Sequence, residues 1–159
     1  MRNKVYGSLS YLRICLLLTT YCLLIAGCSL PRIIVLEDPL SPEEHMNLGV
    51  AYEKTGELDS AIKEYKAAAG KLPLAYLYLG NVYFQKNELE EAEGYYKKAM
   101  KKVPENGDVY NNLAWLYYTK KENLQEAEEL VLKAMALNPA KKEIYQDTLD
   151  KVRALKANP

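Results

Sequence analysis

The chain has 159 residues, of which 49% are apolar and 26% charged. That is the balance of an ordinary globular protein, not of a disordered polymer, a collagen-like fibre or a multi-pass membrane protein. Its 21 Lys and Arg cancel its 21 Asp and Glu, so the electrostatic footprint of a nucleic-acid binder is absent. Fourteen Tyr accompany one Trp and one Phe, and one His with three Cys leaves little material for a metal site.

Residues 1–27 differ in composition from the rest. Arg2, Lys4 and Arg13 are basic, no acid precedes Glu37, and Ile14 to Gly27 is an uncharged run of apolar and small residues. A membrane span needs roughly 20 apolar residues and a signal-peptide core about 7–15, so the run predicts a cleaved signal peptide. It closes on Leu24-Ile25-Ala26-Gly27-Cys28, which resembles the bacterial lipobox. That resemblance implies cleavage before Cys28, a diacylglycerol on its thiol and an N-acyl (palmitate-class) chain on the new amine. Several acyl chains make a stable anchor, because each buried CH₂ contributes about 0.8 kcal/mol and one chain alone holds only marginally. Cys15 and Cys22 leave with the signal peptide, so no internal disulfide is expected. Removing Arg2, Lys4 and Arg13 leaves 18 basic against 21 acidic residues, a net charge of −3. With that sign the lipid, not charge, must hold the protein to a membrane. Ser29, rather than Asp, after the cysteine implies the outer membrane of a Gram-negative envelope, facing the periplasm.

Residues 28–41 form the lipidated tether. It carries the β-branched, apolar strip Ile33-Ile34-Val35-Leu36 between two prolines, a composition that favours extended backbone and suits either packing on the domain or presentation to a partner.

Three copies of one unit follow. Leu48-Gly49, Leu79-Gly80 and Leu113-Ala114 align, each leucine followed by an aromatic four residues on, at Tyr52, Tyr83 and Tyr117. Paired alanines come next (Ala61 and Ala68, Ala92 and Ala99, Ala127 and Ala134), and each copy closes on proline, at Pro73, Pro104 and Pro139. This pattern resembles the tetratricopeptide repeat, whose unit is a pair of antiparallel helices. The implied fold is all-α: a right-handed α-solenoid of three helix pairs over 42–139 (about 42–72, 73–106 and 107–139), with a capping helix and tail over 140–159. The small residues Gly49, Gly80 and Ala114 are expected where the two helices of a unit cross, facing Ala61, Ala92 and Ala127. The first unit departs from the pattern at His45, where a large apolar residue is usual. The third has an extra residue between Thr119 and Asn123, and Val131 where the others have Tyr65 and Tyr96.

Helix signals agree with these boundaries. Ser41-Pro42-Glu43-Glu44 is a capping box with proline at the first helical position, and Gly56 suits a left-handed helix terminus. Leu48 and Leu79 are 31 residues apart, Leu79 and Leu113 are 34, so Pro73 is expected to end one helix and nearly start the next. After Pro139, Ile144, Tyr145, Leu149, Val152 and Leu155 recur at helical spacing. They predict an amphipathic cap that finishes the array.

Little in the chain suggests chemistry. Cys28 is committed to lipid, His45 stands alone, and neither metal-ligand spacing nor a glycine-rich phosphate loop occurs. Acids such as Glu90, Glu91 and Glu126 open second helices, where they suit the helix dipole. An enzyme is not expected, nor a metal, a cofactor or a small-molecule substrate.

The resemblance places function on the concave face lined by the first helix of each unit. Residues two before, two after and five after the core leucine are expected there: Met46, Val50 and Glu53; Leu77, Asn81 and Phe84; Asn111, Trp115 and Tyr118. Trp115, Phe84 and Leu77 should form one exposed apolar strip, with Asn81 and Asn111 available to a peptide backbone. The basic clamp of chaperone-binding members is replaced by Met46, Asp108 and Asn112, so a terminal carboxylate is not the expected ligand. The implied role is a lipid-anchored adaptor or scaffold of the bacterial cell envelope that binds an extended apolar segment of a partner protein. Alternatives are an assembly or pilotin-like factor acting as an oligomer, and a non-catalytic accessory to an envelope peptidase. The last rests on a short likeness of Glu37 to Tyr52 to repeat segments of some bacterial lipoproteins.

Overall fold

The computed structural model describes residues 39–158; the signal peptide, Cys28 and the Ile33–Leu36 strip lie outside them. Seven helices run in chain order: α1 (Pro42–Thr55), α2 (Leu58–Ala68), α3 (Ala75–Gln85), α4 (Leu89–Lys102), α5 (Gly107–Lys120), α6 (Leu124–Leu137) and α7 (Lys142–Ala157). A 3₁₀ turn, Pro139–Lys141, precedes α7, and no strand occurs among the described residues. α1 packs on α2, α3 on α4 and α5 on α6; each pair then stacks on the next, and α7 closes the stack against α5 and α6. The result is an α-solenoid of three helix pairs plus a cap.

Local chemistry sets the helix ends. The Ser41 hydroxyl accepts from the Glu44 N–H at 3.2 Å while the Glu44 carboxylate accepts from the Ser41 N–H at 2.7 Å. Both arms of the capping box are therefore made, with Pro42 at the first helical position. The hairpin turns repeat one device. The backbone N–H groups of Glu57, Glu88 and Glu122 donate to the carbonyls of Tyr52, Tyr83 and Tyr117, across left-handed residues Gly56 (φ 80°), Asn87 (φ 60°) and Lys121 (φ 57°). The third turn absorbs its extra residue by adding a second left-handed position, Asn123 (φ 48°). Between α2 and α3 the chain runs through overlapping i→i+3 bonds from Ala75, Tyr76 and Leu77 to Leu72, Pro73 and Leu74. Pro73 thus lies on the approach to α3, and the short joint follows.

At the first two crossings the small residue meets an aromatic ring of the second helix. A Cβ on Gly49 would stand 2.5 Å from the Tyr65 ring, and one on Gly80 would stand 2.4 Å from the Tyr96 ring. The rings, not the facing alanines, demand glycine; Ala61, Ala92 and Ala127 are fully buried beside them. One core cluster joins the first pair to α3 and a second joins α3 to the cap, with Leu77 in the second.

One expectation for the cap is corrected. Ile144 does not join the cap's inner face but is 64% exposed, whereas Tyr145, Thr148, Leu149 and Val152 are buried. At about 100° per residue, Ile144 falls roughly a quarter-turn from the centre of that buried line. His45, where a large apolar residue is usual, is buried with Glu64, Nδ1 to Oε2 at 2.6 Å, joining α1 to α2.

Candidate functional site: the concave groove

The first helices α1, α3 and α5 share one face, and two adjoining cavities open on it. One, of about 250 Å³, is lined by Glu53 from α1, by Asn81, Phe84 and Gln85 from α3, by Tyr96 from α4, and by Asn112 and Trp115 from α5. The other, of about 330 Å³, is lined by Val50, Glu53 and Lys54 from α1 with Tyr78 and Gln85 from α3. Glu53 and Gln85 belong to both.

Polar contacts organise the floor. Tyr65 and Tyr96 pass beneath their glycines and bring their hydroxyls to the groove. Tyr65 donates to Glu53 Oε2 at 2.7 Å and Tyr96 to Asn81 Oδ1 at 3.0 Å. Asn112 Nδ2 donates to the same Asn81 oxygen at 2.9 Å, and Gln85 Nε2 donates to Glu53 Oε1. With its carbonyl doubly engaged, Asn81 keeps its amide hydrogens for a ligand, and Asn112 keeps its carbonyl. Burial, then the hydrogen bond to Glu53, pushes the Tyr65 phenol well above the ordinary tyrosine range. Burial and the Glu53 charge do the same to Tyr96. Both hydroxyls are therefore donors at neutral pH.

The structure distributes the nine expected groove residues unevenly. Val50, Glu53, Asn81, Phe84 and Trp115 line the cavities. Leu77 does not: it is only 6% exposed and sits in the core, so the expected exposed strip of Leu77, Phe84 and Trp115 is interrupted. Met46 packs against the core of the first two pairs. Tyr118 packs on the second cluster and against Trp115, ring centres 5.1 Å apart. Asn111 lines neither cavity, and its Oδ1 is buried with no hydrogen-bond partner. The neighbouring positions Tyr78 and Asn112, one residue before the core leucine rather than two, take the groove places. The position two before turns toward the seam between pairs, where Leu77 is covered by the third unit's core. Gln85 and Lys54, six after the leucine, were also missed, although they share the helix face of the positions two and five after it. Trp115 is half-buried, with the Lys151 ammonium of the cap 4.8 Å over its ring. Asp108 is spent on the cap, accepting from Tyr145 at 2.8 Å and Lys141 at 2.6 Å. Among the described residues no group of side chains could hold a metal ion, and no helix is long and apolar enough to cross a membrane.

Three stacked helix pairs, a polar cap and a concave face built from successive first helices define a helical-repeat protein. The chain belongs to the tetratricopeptide repeat family, whose profile matches residues 32–76, 46–106 and 77–141. No curated protein matches it in sequence. Among solved structures it is similar to the TPR2B domain of yeast Sti1 in its pHsp70 complex, at 19% identity and TM-score 0.66, covering 71% of this chain and 96% of that one. It is also similar to the first TPR of Spaghetti (RPAP3) bound to the HSP90 peptide SRMEEVD, at 20% identity and TM-score 0.68, covering 74% and 96%. A third is the Yersinia enterocolitica type III secretion chaperone SycD with a peptide of the translocator YopD, at 21% identity and TM-score 0.64, covering 72% and 92%. At these identities the likeness is one of fold.

Proposed function

We propose that this chain is a lipid-anchored adaptor of a bacterial cell envelope whose concave groove holds an extended segment of a partner protein. The observation that carries the adaptor reading is the cavity to which all three first helices contribute, with Phe84 and Trp115 beside the Asn81 and Asn112 amides. Aromatic side chains supply area for binding, and an amide offers both a donor and an acceptor to a peptide backbone. The three similar structures bear on this reading because they are complexes, one with pHsp70, one with an HSP90 peptide and one with a peptide of the translocator YopD. The anchor reading rests on Leu24 to Cys28 and the run before it; placement in the outer membrane, facing the periplasm, rests on Ser29.

Capture of a partner from detergent-solubilised membranes by the full chain tests the groove. Trp115→Ala and Phe84→Ala should each weaken capture by roughly 2 kcal/mol where the residue is a hot spot, with smaller losses of thermal stability. Capture that only tracks the melting temperature would remove the groove from the account and leave the fold standing. Cys28→Ser should abolish fatty-acid labelling and release the protein from the membrane; labelling at the original level would refute the anchor.

A further inference from the structure

Glu53 lines both cavities and, among the described residues, is the only acidic or basic side chain lining the one that spans all three first helices. Tyr65 donates to one of its oxygens and Gln85 to the other. The carboxylate is therefore held in orientation while each oxygen keeps a lone pair for a further donor. Glu53 has no ion-pair partner among the described residues, and its neighbour Lys54 reaches only the second cavity. Aromatic residues line the same cavities: Tyr78 in one, Phe84 and Trp115 in the other, above the buried Tyr96.

An oriented carboxylate among aromatic faces is the complement of a planar cation. Guanidinium stacks on rings and bonds a carboxylate through two parallel N–H groups, which an ammonium cannot do. The same charge repels a carboxylate ligand. The chain already accepts a cation on one groove aromatic, since Lys151 lies over Trp115 while Asp147 holds its ammonium at 2.6 Å.

Building on the groove reading, we infer that the partner segment inserts an arginine side chain at Glu53, flanked by apolar residues on Val50 and Phe84. The partner is thus an internal, basic-apolar stretch of polypeptide rather than an acidic or C-terminal one.

The probe is a set of short fluorescein-labelled peptide pools, acetylated and amidated, with Leu, Ile, Val, Ser and Thr mixed around one fixed central residue. That residue is Arg, its uncharged isostere citrulline, or Glu. Fluorescence polarisation with the full chain in detergent should show the Arg pool binding about tenfold or more tighter than the citrulline pool, with the Glu pool weakest. In Glu53→Gln, whose amide oxygen still accepts a hydrogen bond from Tyr65, the preference for Arg over citrulline should vanish while the melting temperature stays close to the original. Equal Arg and citrulline affinities, or a preference that survives Glu53→Gln, would overturn the inference. If such binding still falls in Trp115→Ala, the groove reading stands without it. Binding indifferent to Trp115→Ala, or no binding by any pool, overturns both.

Discussion

Gly80 lies so close to Tyr96 that a Cβ on the glycine would stand 2.4 Å from the ring carbon Cδ1. Gly49 and Tyr65 repeat the relationship at 2.6 Å from the same ring atom. In the third unit the two positions are Ala114 and Val131, both fully buried. Where the second helix gives up its ring, the first can carry a methyl group. The residue that departs from the repeat pattern at Val131 is thus compensated across the crossing.

Gly80→Ala should therefore destabilise the domain by about 1–3 kcal/mol, the usual cost of overpacking a filled core. Paired with Tyr96→Val it should cost less than the sum of the two single changes, a favourable coupling of about 0.5–3 kcal/mol in a double-mutant cycle. Strict additivity in urea unfolding would mean that the ring does not set the small residue.

His45 and Glu64 are buried together at 2.6 Å. Glu64→Ala leaves the imidazole without this partner and should cost about 1–3 kcal/mol. Replacing both by apolar residues, His45→Phe with Glu64→Leu, should recover most of that loss. A double variant no more stable than Glu64→Ala would show that the pair is not the source of the cost.

Acid should loosen the joint between the second and third units. Burial alone would raise the pKa of Glu93, but hydrogen bonds from Lys97 and Lys120, with their charges, outweigh it and hold the carboxyl below its ordinary value of 4.5. A group depressed in the folded state contributes fully above its unfolded pKa, and the contribution disappears as pH falls through the folded one. Melting temperatures followed from about pH 7 to about pH 3 should show the deficit of Glu93→Gln shrinking below about pH 4.5. A deficit constant over that range would contradict the assignment.

The cap should be separable from the array. Asp108 holds Tyr145 and Lys141, and the Tyr145 phenol is pushed above its ordinary range by burial and by that bond. Asp108→Ala should raise amide hydrogen exchange across α7 (Lys142–Ala157) while α1 to α4 stay protected, because stacked repeats depend on their neighbours. Uniform loss of protection would show that the cap opens only with the whole domain.

Much of this protein is legible in its sequence. The aligned Leu-Gly/Ala, Tyr, Ala and Pro positions define three helix pairs, and the Ser41–Glu44 box and Gly56 place α1, because helix termini and periodic packing are decided by neighbours a few residues apart. The groove was legible at Val50, Glu53, Asn81, Phe84 and Trp115, which lie two and five after the core leucine. Which side of the preceding turn faces the groove was not. Leu77 is covered by the next pair and Asn111 lines neither cavity, while Tyr78 and Asn112 reach the cavities, because that choice depends on how the helices stack. The partners of buried groups were equally invisible. Nothing in the order of residues joins Glu53 to Tyr65 and Gln85, or His45 to Glu64, since those contacts exist only once separate helices have been packed against one another.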